Sequence, residues 1–159
     1  VYKRQAQIGC SITDAKELLE NFSKKFSSIE RYKRSVISTS RSQTPVPYVT
    51  TLLKRRRYLP DLRSKEIWKR ARAERQAFNT VIQGSAADII KVAMVRAYDM
   101  IPEEANLILT VHDELVTVAP ENIAEETAQA IRDAMEGIQV LQIPLLADVK
   151  IVDRWGEAK

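Results

Sequence analysis

Only one cysteine, Cys10, occurs in 159 residues, which excludes a disulfide framework and any cysteine-built zinc site. A single histidine, His112, excludes metal sites that need several imidazoles. There is no long uncharged apolar run, so no segment reads as a membrane span, and no apolar N-terminal stretch reads as a signal peptide. What is there is 45% hydrophobic and 29% charged, a balance that excludes an intrinsically disordered chain and suits one domain with a core. The net charge of +4 hides an asymmetry. Residues 1–80 hold 19 Lys/Arg and 7 Asp/Glu, a net of +12, whereas residues 81–159 hold 6 and 14, a net of −8. The first half is built to meet a polyanion and the second is not.

Val1–Gln5 reads VYKRQ without an initiator Met. The five residues match a translation of GTG-TAT-AAG-AGA-CAG, which resembles a transposon end used in preparing sequencing libraries. They are read as a cloning or assembly scar outside the fold; the alternative is an ordinary basic segment. Beyond them, Ile12, Ala15, Leu18, Leu19, Phe22 and Phe26 recur at helical spacing behind the N-cap candidates Thr13 and Asp14. Ser27-Ser28 predicts a break, and Ile29, Tyr32 and Val36 continue the helix to about Ser38. Residues 38–47, with two prolines, read as a loop. Tyr48–Leu53 and Arg57–Leu59 read as short strands about a basic turn. Helices are expected from Ser64 to about Asn79 and from about Val81 to Met100, the second with an apolar row (Ile90, Ala93, Met94, Ala97) facing a sheet. Leu107–Val111 and Leu115–Ala119 form a hairpin, Pro120 opens a helix closed by Gly137, and Pro144–Val152 reads as a last strand. This mixed order predicts the α+β class, an antiparallel sheet backed by helices.

Three constellations carry chemistry. In LTVHDELV, the polar trio His112, Asp113 and Glu114 interrupts strand-like runs. Two adjacent carboxylates repel, and a divalent cation relieves the penalty; oxygen donors suit Mg²⁺ or Mn²⁺ rather than zinc. A solvated turn accounts for the same residues, since Asp is common there. Arg75, Asn79 and Gln83 lie four apart, and on a continuous helix they make one polar row. Such donors meet the acceptors that adenine N3 and thymine O2 offer in the minor groove, where duplex geometry is checked without reading sequence; a satisfied buried polar network is the alternative. Lys54–Arg75 holds ten Lys/Arg against Asp61, Glu66 and Glu74. That density points to phosphates, with affinity that falls with salt, although a solvated helix face has similar composition.

Read in order, TLLKRRRYLPDL, ARAERQAFNTVIQGSAADIIKVAM and LTVHDEL resemble the C-terminal part of family A DNA polymerases, the bacterial DNA polymerase I group, with bacterial and phage members. The resemblance runs from about Ala6 to Lys159 and is most specific in QGSAADIIK followed by VHDE; the tail around Trp155 shares it. It implies a palm in which two aspartates hold two Mg²⁺ ions for in-line nucleotidyl transfer. Asp113 matches the second aspartate and metal ligand, Glu114 the supporting carboxylate, and His112 a residue near the primer terminus. Arg75, Asn79 and Gln83 match positions that contact the primer–template minor groove. Arg55 and Arg56 match a basic hairpin along the duplex backbone. Residues 6–38 are expected to be the last helices of the fingers and 39–159 the C-terminal palm portion. Primer–template DNA is the implied partner, with dNTP for the intact parent, no membrane, a monomeric state and a cytoplasmic setting in a bacterial cell or phage host.

No DYSQIE-like or KxxxFGxxYG-like segment occurs in the chain, so the first metal aspartate and the triphosphate-binding helix of the family are not among these residues. The expectation is therefore a front-truncated polymerase, inactive alone. The rival reading is a non-catalytic DNA-binding domain that uses the basic half and leaves the acidic turn idle. Three departures stand out: Lys54 where the family commonly has Gly, Val81 where Pro is frequent, and the irregular stretch 38–47.

Overall fold

The computed structural model describes residues 9–158, so the VYKRQ segment lies outside the described residues. The chain divides into two compact units. One holds the chain up to Val49 together with Arg56–Phe78; the other holds Thr50–Arg55 and the chain from Asn79 onward.

In the first unit, α1 (Ile12–Lys25) opens on a reciprocal capping box. The Asp14 amide donates to Ser11 Oγ at 3.1 Å and the Ser11 amide to Asp14 Oδ2 at 3.2 Å. The N-cap is thus Ser11, ahead of the expected Thr13 or Asp14: Asp14 takes the N3 position because only from there can its carboxylate reach back. Phe26, in a non-helical conformation, separates α1 from α2 (Ser27–Ser42). That helix runs four residues past the expected end. The Ser42 hydroxyl and the Gln43 amide side chain both donate to the Thr39 carbonyl, satisfying the last turn. The stretch after it is tied down by one side chain. The Arg63 guanidinium donates to the carbonyls of Arg41, Gln43 and Pro45 at 3.1, 2.7 and 3.3 Å. Strands β1 (Tyr48–Thr50) and β2 (Arg56–Tyr58) pair as a two-stranded sheet. Leu62, fully buried in a 3₁₀ turn (Pro60–Arg63), Leu59, Val49 and the inner face of α3 (Ile67–Asn79), Ala73 and Ala77, make the core.

In the second unit a π turn (Thr80–Gly84) leads into α4 (Ser85–Met100). The alanine face of α4, Ala93 and Ala97, is buried as the apolar row predicts. It lies mainly on α5 (Ala124–Glu136), with only a smaller contact to the strand Asn106–Val111, where a sheet was expected. Two alanines let the helix axes approach closely, and Thr127, Ile131 and Ala134 of α5 fill the space between. Arg96 Nε donates to the Ala134 carbonyl at 3.2 Å, which places a cation where the C-terminal carbonyls of α5 lack partners.

Strands β3 (Asn106–Val111) and β4 (Glu114–Val118) form the expected hairpin. The expected last strand, Pro144–Val152, is absent. A strand needs a neighbour's ladder, and here the Ala147 amide donates instead to Glu136 Oε1 at 2.8 Å. Its side chains still alternate, with Leu145, Ala147 and Val149 part-buried and Leu146, Asp148 and Lys150 exposed, so the segment is extended but unpaired. Small antiparallel sheets among helices make this α+β, as the order of elements indicated. Among the described residues no helix is long and apolar enough to cross a membrane.

Candidate functional site

The β3–β4 hairpin presents the acidic trio. Val111 pairs with Glu114, leaving His112 and Asp113 as a two-residue turn. His112 has φ 57°, the positive value a primed hairpin turn requires at its first central position. Glycine usually fills that position, so histidine costs backbone strain that the flanking ladder must hold. Between Leu107 and Leu109 the register shifts, leaving a bulge at Ile108 that adds twist below the turn. His112, Asp113 and Glu114 are all exposed. Asp113 and Glu114 offer hard oxygen donors to solvent, but no group of three potential ligands gathers among the described residues.

Arg75 and Asn79 fall within α3, where four-residue spacing is that of an α-helix. Gln83 falls in the π turn. A π turn bonds each N–H five residues back, so it carries one extra residue and rotates the next helical turn by about 100° relative to a continuous α-helix. The evenly spaced row expected of a uniform helix therefore changes direction between Asn79 and Gln83. Arg75, Asn79 and Gln83 are all exposed, which disfavours the buried-network alternative.

The basic stretch resolves into cations with different engagements. Arg63 clamps the end of α2 and the segment after it through the carbonyls of Arg41, Gln43 and Pro45, Arg70 Nη1 donates to the Ser64 carbonyl at 3.1 Å, and Lys69 pairs with Glu66. The Arg56 guanidinium lies 5.1 Å from the centre of the Tyr48 ring. Lys54, Lys65, Arg72 and Arg75 form no ion pair among the described residues. Lys54 sits at φ 67°, a left-handed conformation natural to glycine, which explains why the resemblance shows Gly there. Lys54→Gly should therefore raise the unfolding free energy by about 0.5–1 kcal/mol, the left-handed penalty less glycine's added unfolded-state freedom. Urea unfolding measures it, and a lower midpoint would remove the strain account.

Arg55 is bound inward. Its Nε donates to Asp88 Oδ1 at 2.7 Å and one Nη to the Gly84 carbonyl at 3.1 Å, while half of its side chain stays exposed. Asp88, only 6% exposed, was not among the residues singled out by sequence. The available signal was an acid between Ala87 and Ile89 on an otherwise apolar helix face. Burial pushes its pKa up, but hydrogen bonding from Thr51 and Arg55 and the charges of Arg55 and Lys91 prevail, holding the carboxyl below its ordinary value. The pair thus stabilises the fold above the ordinary carboxylate range, and that contribution fades as pH falls through the lowered folded value. Urea unfolding of wild type and Asp88→Asn should show a gap that is constant near neutrality and closes in acid. A gap that widens in acid would contradict this sign.

The sequence model described as DNA polymerase family A matches residues 2–157. DNA polymerase I of Bacillus caldotenax is 39% identical over 161 residues, covering 99% of this chain and 18% of the relative. The thermostable DNA polymerase I of Thermus thermophilus is 47% identical over 113 residues, covering 70% of this chain and 14% of the relative. Among solved structures, the POL domain of Pol1 from M. smegmatis, in complex with DNA primer-template and dNTP, superposes with a TM-score of 0.79 at 38% identity. That match covers 89% of this chain and 25% of the other. The chain thus spans about a fifth of the length of curated relatives. A family match over nearly every residue, with the polar helix and the acidic turn in the family's order, leaves one assignment: the chain belongs to DNA polymerase family A.

Proposed function

We propose that this chain supplies the duplex-gripping surface and one metal-binding carboxylate, Asp113 with Glu114 in support, of a template-directed DNA polymerase acting in replication or repair. The observation that carries the reading is the strained two-residue turn, where a non-glycine φ of 57° at His112 is maintained beside two exposed carboxylates. A solvated turn has no need of that combination. The M. smegmatis relative, solved with primer-template and dNTP, supports DNA and dNTP as the partners of the parent enzyme.

The family uses divalent metal, and the donors here fit Mg²⁺ in kind but not in number. Asp113, with Glu114 beside it, would hold one side of a coordination sphere that further ligands complete. Bound there, the two ions would activate the primer 3′-hydroxyl and stabilise the leaving pyrophosphate. The remaining roles belong to the chain's own groups. Arg75, Asn79 and Gln83 donate to minor-groove acceptors, His112 stands by the primer terminus, and Arg55 and Arg56 follow the duplex backbone. The domain assignment goes with this reading, residues 6–38 to the fingers and 39–159 to the palm, in a monomeric, cytoplasmic parent.

Because the 159 residues lack the other metal aspartate and the triphosphate-binding helix, the purified chain should bind primer–template without extending it. Denaturing gels of a labelled primer with Mg²⁺ and dNTPs test this, and extension by the chain alone would overturn it. The rival, a DNA-binding domain with an idle turn, rests on the incomplete ligand set; substitution of Asp113 separates the two.

A further inference from the structure

The loop between β1 and β2 is fastened to the π turn and the first turn of α4 at three points. The Leu52 amide donates to Ser85 Oγ at 2.8 Å, while the Ser85 hydroxyl donates to the Val81 carbonyl at 2.5 Å inside the π turn. Arg55 reaches the Gly84 carbonyl through one Nη and Asp88 through Nε. Buried Thr51, whose Oγ1 accepts the Arg55 amide at 3.1 Å, packs against Gly84 so closely that a Cβ there would stand 2.9 Å from Thr51 Cγ2. A π turn is a poor helical conformation that persists only where surroundings over-determine it. Here both the Val81 and Gly84 carbonyls have side-chain donors, and the space beside Gly84 is filled by Thr51.

We propose that Arg55, Asp88 and Ser85 form a latch that uses the loop Thr51–Arg55 to hold the π turn open, and so sets the direction in which Gln83 and Asn79 meet the duplex. Arg55 and Asp88 are then positioning residues for primer–template recognition, with the Arg55 donors left over still able to meet a phosphate. The inference rests on the duplex-binding reading above. If the latch failed, the segment would revert toward an α-helix and Gln83 would turn by about one residue's 100°, away from the minor groove.

The test is a double-substitution cycle on the 159-residue chain, read by fluorescence anisotropy with a labelled primer–template duplex at fixed salt. Gln83→Ala should weaken wild-type binding about 5- to 10-fold, the low end for a lost base-edge contact. In an Asp88→Asn background the same change should cost less than about twofold, because Gln83 no longer reaches its acceptor. The salt slope should stay within about one unit, since no phosphate contact has been designed away. Where Asp88→Asn fails to fold by circular dichroism, Ser85→Ala replaces it, removing one anchor without stranding a charge, and Ser85→Thr should restore the Gln83 penalty. A full Gln83→Ala penalty in the latch variants overturns the proposal while leaving duplex binding intact. Wild-type chain that binds no duplex at low salt overturns the underlying reading, and the positioning role with it.

Discussion

Replacing Asp113 by Asn within a polymerase that carries this chain is expected to lower primer extension by about 10²–10³-fold or more, with duplex affinity changed less than twofold. Asparagine keeps the shape of aspartate and lets the two-residue turn form, so β3 and β4 stay paired through Val111 and Glu114. What it loses is the anionic oxygen that a hard cation requires. On the proposed reading the loss falls on the chemical step, where charge develops, and leaves the basic residues and the helix donors untouched. Glu114→Gln should cost less, because its carboxylate supports the site from the first position of β4. Single-turnover extension beside equilibrium duplex binding separates these terms. Unchanged extension by Asp113→Asn would favour the DNA-binding rival and leave the strained turn without a function.

The hairpin was legible in the sequence because its pattern is local: two short runs of Leu, Ile and Val interrupted by the polar trio His112, Asp113 and Glu114. The helices around Pro102, Pro120 and Gly137 were legible for the same reason, their stop and start residues lying within a turn of the boundary. Three features were not, each for want of a local signal. The π turn at Thr80–Gly84 has helical composition throughout, and its extra residue is held by a loop about thirty positions upstream. Asp88 reads as one more helix carboxylate until Arg55 is beside it. Pro144–Val152 has strand composition and strand-like alternation, yet composition cannot supply a neighbour to pair with. Of the candidate site, the residue types and spacing of Arg75, Asn79 and Gln83 were legible in the sequence, whereas their exposure and the direction of Gln83 were not, because burial and the π turn depend on distant segments.

Duplex affinity should fall about 150-fold between 50 and 200 mM monovalent salt, the result of neutralising about four phosphates at a slope of about −0.9 per contact. The number of contacts comes from what each cation already does. Arg63, Lys69 and Arg70 spend their donors on carbonyls or a carboxylate, and Arg57 is also engaged. Arg55 spends two donors on the latch, so its remaining donors along the duplex backbone are not counted as a full contact. Lys54, Arg56, Lys65 and Arg72 are exposed and form no ion pair among the described residues, so they remain for the backbone of the duplex. On the proposed reading, a count of the ten cations of Lys54–Arg75 would overstate the phosphate contacts by more than twofold. Removing Arg56 should reduce the slope by about one, and weaken binding alike for every duplex sequence. Arg75→Ala should behave differently, costing about 5-fold or more at any salt with a smaller change of slope, because the contact proposed for it is to base edges. Anisotropy titrations at four salt concentrations distinguish the two behaviours. A slope near −9 would mean that the internal pairs give way to DNA, and a slope near zero would mean that this surface does not bind phosphates at all.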